Sequence, residues 1–446
     1  MKQVIRILTS LAGLFAATLM LHAAASAKPN IVFILVDDLG MPAVGCYGGA
    51  YKTPNIDKLA AGGLRFERCF AAPLCAPSRA LCMMGRYGFR TGVVDNPFGG
   101  RATPDKEICV AKPLKQAGYA TAVVGKWRQL PKLSTRAEAA VWGWDEFLLW
   151  GTGDGEGGDR YWSTDYLQNG QRLQVAKGTY GPDLLHEYVV DFIRRHRDQP
   201  FFIYYPMTMI HGGFKPTPDT APGVSDRARL YTDTIAYMDK LIGKLMTELD
   251  KMNLREKTLV VFTGDNGSVD PQTIHGPVVD GVKHELSEGG SRVPLIANWQ
   301  GTTPAGKVLD DLVDFTDFYV TFAEVAGANL PVGHKLDGHS FAPQLRGERG
   351  SPREWVFMQL ADRWYARSSG WKLYNDGQLL DMSDAPFSEK LVPAGTESSE
   401  AKAARRKLQA VLTELNPGIL KAGPKFEHES PRAPGSGDSK GKAGTS

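Results

Sequence analysis

Two groups of side chains in this sequence are spaced to do chemistry. The first centres on Cys75, in the run Leu74-Cys75-Ala76-Pro77-Ser78-Arg79. Pro77 suits the first turn of a helix, where a missing N–H is no loss. Ala80, Leu81, Met83 and Met84 then favour a helix to about Arg86. Cys75 is therefore predicted at a helix N-terminus, where free N–H groups and the macrodipole favour an anion. With Arg79 one turn further on, the setting is that of an activated cysteine. A buried structural cysteine beside a surface arginine would leave the same residues.

The second group is Asp37-Asp38 and Asp265-Asn266, hard oxygen donors that suit Ca²⁺ first and Mg²⁺ second, rather than zinc. Gly264-Asp265-Asn266-Gly267 taken alone is a turn sequence. Asp37 and Asp38 change that balance, because they too directly follow a strongly apolar run. Acids converging on one cleft raise one another's pKa, and a divalent ion resolves the conflict while polarising an anionic substrate oxygen.

The elements that must position these groups are readable. Pro29 to Val36 is a continuous β-branched and apolar run, as expected of a strand buried on both faces. Three more such runs follow. Tyr119–Val124 leads to Gly125-Lys126-Trp127-Arg128, Phe201–Tyr205 leads shortly to His211, and Thr258–Phe262 leads to Asp265 and Asn266. Polar residues just beyond the ends of several buried strands describe one cleft at the carboxyl edge of a sheet. Helical periodicity over Asp183–Arg197 and Arg229–Met252 alternates with the strands and predicts an α/β fold with a mainly parallel sheet. Residues 142–170, rich in Gly, Trp and Tyr, are expected to form a flexible loop near the cleft. Its glycines do not follow a strand or open a helix, so no dinucleotide site is expected. Trp150, Tyr161 and Trp162 could pack or could stack on a sugar or aryl group.

After about Gly350 short strand-like pieces follow, with a hairpin signal at Asn375-Asp376-Gly377, and then a helix from Glu400 to Leu415. This predicts a small antiparallel sheet plus helix over 351–420, after a main domain at 28–350. The tail 421–446 is nearly free of apolar residues and is expected to be disordered.

With 446 residues, 42% apolar and 23% charged, the chain is ordinary globular material. A formal net charge of +3 argues against nucleic acid as a partner. Lys2 and Arg6, an apolar stretch from Leu8 to Leu21, and Ala25-Ser26-Ala27 read as a cleavable export signal over residues 1–27. The mature chain is expected in the periplasm or outside the cell, with no membrane span after cleavage. Five cysteines leave an odd one, which Cys75 accounts for if it is reactive; pairing among Cys46, Cys69, Cys82 and Cys109 is open.

Cys75-Ala76-Pro77-Ser78-Arg79 resembles the C-x-P-S-R signature of type I sulfatases, whose cysteine is oxidised to formylglycine. The resemblance extends over roughly residues 29 to 390. Pro29–Gly40 is similar to that family's opening strand with its metal-binding acids, and Gly264–Gly267 to its second metal pair. Gly118–Trp127 resembles the segment with an active-site lysine, and Glu288–Pro294 a family hallmark. Lys283 stands at the place of the family's sulfate-binding lysine, and Leu379-Leu380-Asp381 resembles its C-terminal Leu-Tyr-Asp-Leu stretch.

The resemblance implies an alkaline-phosphatase-like fold, with helices flanking a large mixed, mostly parallel sheet. It implies hydrolysis of a sulfated small molecule or polysaccharide, with Ca²⁺ held by Asp37, Asp38, Asp265, Asn266 and modified Cys75. Arg79, Lys126, Arg128 and Lys283 would grip the sulfate, and His211 or Lys283 would protonate the leaving oxygen. A formylglycine-generating or anaerobic sulfatase-maturing enzyme is the implied partner. Two positions depart from the pattern: Arg128 replaces a histidine, and Met84 replaces a threonine. Arginine is a poor base, and His275 or His284 could substitute for the histidine. The departures leave open a phosphonate or phosphodiester hydrolase of the same superfamily, and a degenerate protein that binds sulfated glycan without turnover.

Overall fold

A computed structural model describes residues 28–127, 133–150 and 159–417. The expected export signal, Arg128, the glycine run 151–158 and the tail 421–446 lie outside the described residues.

Ten strands form the central sheet. In chain order they are β1 (Asn30–Val36), β2 (Leu64–Phe70), β3 (Ala120–Lys126), β4 (Glu146–Trp150) and β5 (Tyr166–Gln168). There follow β6 (Gln171–Leu173), β7 (Phe201–Met207), β8 (Thr258–Gly264), β9 (Arg292–Asn298) and β10 (Lys307–Asp314). Their spatial order is β10-β2-β9-β8-β1-β7-β3-β4-β5-β6. The five strands from β8 to β4 run parallel, while β9 is antiparallel to both its neighbours. Every residue of β1 is buried. Ile31, Phe33 and Leu35 point into one core, and Val32, Ile34 and Val36 into the other, the alternation expected of a strand covered on both sides. The helices Gly181–Arg195 and Arg227–Lys251 close one face through Val189, Phe192, Leu241 and Leu245. The helices Cys75–Met84 and Asp317–Ala326 close the other.

Residues 142–170 depart from the expected loop. Trp142 ends a helix, Arg136–Trp142, opened by a Thr135–Glu138 capping box. Glu146–Trp150 is then a sheet strand, in parallel register with Ala122–Lys126. Neighbouring Gly and Trp obscured this run of only five residues, and pairing with β3 supplies the order that local sequence does not. Trp150 and Tyr161 are buried in the core, so packing accounts for both.

A second sheet, wholly antiparallel, comprises β11 (Val356–Leu360), β12 (Arg363–Arg367), β13 (Trp371–Tyr374), β14 (Leu379–Asp381) and β15 (Lys390–Leu391). The helix Ser399–Leu415 packs on it. Its apolar side chains, Phe357, Tyr365 and Leu373 among them, belong to the same core cluster as Phe33 and Phe66 of the large sheet.

Candidate active site

β1 ends at Val36, and the next two residues turn into the space beyond the sheet. Asp37 N–H donates to Met209 O just past β7, at 2.8 Å. Asp38 takes a left-handed conformation, φ 63°, and its N–H donates to Asp265 Oδ1 at 2.9 Å. Aspartate tolerates this backbone better than most residues. β8 delivers Asp265 and Asn266 beside it. One ligand atom each from Asp37, Asp38, Cys75 and Asp265 lies within 4.8 Å of all the others, and all four residues are buried.

Fixed cations surround the acids. Arg79 directs Nε and Nη2 at Asp265 Oδ2, at 3.0 and 2.7 Å, and Nη1 at the Lys126 carbonyl at 3.1 Å. Lys126, the last residue of β3, grips both oxygens of Asp37 at 2.7 and 2.8 Å. Lys283 Nζ meets Asp38 Oδ1 at 2.6 Å. His211 Nε2 stands 3.7 Å from Asp38 Oδ2 and is about a third exposed (33%). Sequence reasoning missed Arg160, whose Nη1 donates to Asp37 Oδ2 at 2.7 Å. Its only signal was Asp159 beside it, which forms a turn by accepting from the N–H groups of Tyr161 and Trp162.

Among the described carboxylate and amide groups of this cluster, two buried oxygens have no hydrogen-bond partner, Asp38 Oδ2 and Asn266 Oδ1. Unanswered acceptors in a buried site are costly. Two of them beside three carboxylates fit a hard divalent cation. Asn266 Nδ2 donates to Asp38 Oδ1 at 2.9 Å and to its neighbour's carbonyl, which leaves its oxygen free to ligate.

Burial raises the Asp37 carboxyl, yet Lys126, His211, Arg160 and Arg79 outweigh it and hold the group well below the usual range. Asp38 is likewise held down against burial, chiefly by Lys283. For Asp265 burial wins over Arg79, and the carboxyl is pushed up to about 6. Burial opposes the charge on Lys283, but Cys75, Asp38 and Asp37 keep its pKa well raised. Burial lowers His211 in spite of the two aspartates.

Cys75 opens its helix as expected, and it is buried there. Burial pushes the thiol up to about 11 against the pull of Lys126 and Lys283. The helix terminus also offers fewer free donors than the sequence suggests. Ala76 N–H donates to Asn96 Oδ1 at 3.0 Å, Ser78 N–H to Leu74 O, and Pro77 has no N–H. All five cysteines are unpaired. His275 and His284 are both exposed, each with a positive φ.

A buried cluster of carboxylates that could hold a metal ion, a ring of fixed positive groups and one cysteine at a helix start suit a hydrolase of tetrahedral oxyanion esters. Comparison with known proteins narrows this class. The Sulfatase family model matches residues 29–328, and the chain belongs to that family. It is 33% identical over 388 residues to arylsulfatase A of Bos taurus, covering 78% of this chain and 74% of that one. It is 29% identical over 446 residues to arylsulfatase D of Homo sapiens, covering 78% and 74%. The crystal structure of Ps i-CgsB in complex with k-i-k-neocarrahexaose superposes with a TM-score of 0.74 at 26% identity, over 87% of this chain and 92% of that one. The fold is accordingly alkaline-phosphatase-like, and the enzyme is a sulfuric ester hydrolase. No helix among the described residues is long and apolar enough to cross a membrane.

Proposed function

We propose that this enzyme cleaves the sulfate monoester of a carbohydrate or an aryl alcohol with a modified Cys75 and a divalent cation. The observation that carries the proposal is the four-residue ligand cluster, with the unanswered oxygens of Asp38 and the adjoining Asn266, enclosed by cations. Asp37, Asp38, Asp265 and Asn266 would hold the ion, Ca²⁺ in preference to Mg²⁺. Bound Ca²⁺ would polarise the ester's oxygen, and a formylglycine hydrate at position 75 would supply a hydroxyl nucleophile. Lys126 and Arg79 hold Asp37 and Asp265 in place. Lys283, with its pKa held high, stays charged and binds a non-bridging oxygen of the substrate. His211 is the most open of the set and lies beside Asp38, so it passes the proton to the leaving oxygen.

Substrate class rests on relatives: one solved neighbour is a complex with a neocarrahexaose. A curated relative, 32% identical over 361 residues, is the N-acetylgalactosamine-6-sulfatase of Canis lupus familiaris. A sulfated sugar is therefore the favoured substrate, met after export by the signal at 1–27. A maturing enzyme of the formylglycine-forming kind is the favoured partner.

The test is peptide mass spectrometry across Cys75 on exported protein, paired with rates on matched aryl sulfate, aryl phosphonate and sulfated-sugar substrates. Loss of the Cys75 sulfur, sulfate release, and its abolition by chelation are expected. Retained sulfur with no sulfate released would overturn the proposal, and faster phosphonate cleavage would redirect it.

A further inference from the structure

Arg160 is a partly buried cation that the carboxylates of the site do not require. Its side chain is 11% exposed. Asp37, which it contacts, is already matched by Lys126 on both oxygens and lies 3.5 Å from Arg79. Among the described residues, and before any metal ion is counted, four fixed cations (Arg79, Lys126, Arg160 and Lys283) face three carboxylates (Asp37, Asp38 and Asp265). Without Arg160 the two sets balance; with it one positive charge is in surplus. A surplus charge largely withdrawn from water is unfavourable unless an anion answers it.

The side chain is also held as a binding group would be. Its guanidinium lies over the Trp150 ring at 4.2 Å from the centroid, and Nη1 donates to Thr208 O at 3.0 Å as well as to Asp37. Tyr161, the next residue, donates its hydroxyl to the His211 carbonyl at 2.8 Å. The turn that carries Arg160 is thereby tied to the ends of β4 and β7, and the cation is oriented before substrate arrives.

We propose that Arg160 is a specificity-determining residue that tilts the site toward its anion and away from its cation. It strengthens binding of the sulfate group and weakens binding of the divalent ion. This rests on the sulfate-ester reading of the site, and Arg160 extends that reading to a residue outside the set recognised from sequence.

The test is isothermal titration calorimetry of the full-length mature enzyme and its R160Q and R160K variants. Ca²⁺ is titrated into chelator-stripped protein, and inorganic sulfate into Ca²⁺-loaded protein. R160Q is expected to bind sulfate about tenfold more weakly, the scale of one lost charge-assisted hydrogen bond. It should bind Ca²⁺ about threefold or more tightly, because a nearby like charge is gone. R160K keeps the charge but loses the planar fork stacked on Trp150, so it should stay near wild type for Ca²⁺ and fall between wild type and R160Q for sulfate. Three outcomes would overturn the inference while wild type still binds sulfate and turns over esters. They are R160Q matching wild type in both constants, R160Q losing Ca²⁺ affinity, and R160K losing sulfate as fully as R160Q. A wild-type enzyme that neither binds sulfate nor cleaves sulfate esters would instead overturn the underlying reading, and this inference with it.

Discussion

Asp38 Oδ1 accepts from Lys283 Nζ at 2.6 Å and from Asn266 Nδ2 at 2.9 Å, while Oδ2 has no partner. Asp38→Ala would strand Lys283 as a buried, uncompensated charge. A loss of about 3–5 kcal/mol in urea unfolding is expected in chelator, together with loss of Ca²⁺ binding by calorimetry. Glu107 gives a second prediction. Burial pushes its carboxyl from 4.5 up to about 7 against Arg86. The folded state thus binds this proton more readily than the unfolded state. Stability from that source is complete below about 4.5 and is lost as pH rises toward about 7. Glu107→Gln cannot titrate, so the melting temperature of the variant relative to wild type should rise between pH 5 and pH 8. The site acids were legible in sequence because two adjacent carboxylates after a seven-residue buried strand make poor packing. Arg160 was not, since nothing in a run of glycine, tryptophan and acid marks which cation folds inward.

At the scale of elements, the helix Cys75–Met84 ends at Gly85, in the left-handed region at φ 65°. A Cβ built there would stand 2.8 Å from Tyr319 Cβ. Gly85→Ala should therefore cost about 1–3 kcal/mol, from backbone conformation and displacement of the tyrosine, and equilibrium denaturation measures it. Strands β1, β3, β7 and β8 were legible because each is a run of buried apolar residues bounded by a turn. By contrast β4 depends on β3 for its register, and β5 and β6 are three residues each. Such short segments are ordered by pairing and packing more than by their own composition. The burial of Cys75 was unreadable for a related reason. Proximity to cations was readable from spacing, whereas complete burial is a property of the assembled molecule.

At the scale of the whole molecule, the second sheet reaches back to the segment that carries Lys283. Lys372 of β13 is fully buried, and its Nζ donates to both carboxylate oxygens of Glu389 at 2.7 Å. Glu389 in turn accepts the Glu288 N–H at 2.7 Å, and Tyr374 donates to Leu286 O at 2.6 Å. Lys372→Met should cost about 3–5 kcal/mol by leaving Glu389 buried and unpaired. The double variant Lys372→Met with Glu389→Leu should recover part of it, and urea melts of the three proteins decide this. Hairpin and helix in this region were legible from Asn375-Asp376-Gly377 and the apolar stripe, but the buried pair was not, because its partners meet only after folding. Cys75 has one more consequence. With 2% of its surface open, it is out of reach of any second protein once the chain has folded. Asp265, which pairs with Arg79 and helps enclose the cysteine, lies 186 residues beyond that arginine. At a synthesis rate of about 5–20 residues per second, the proposed modifying catalyst would have roughly 10–40 seconds to reach the thiol before that carboxylate leaves the ribosome.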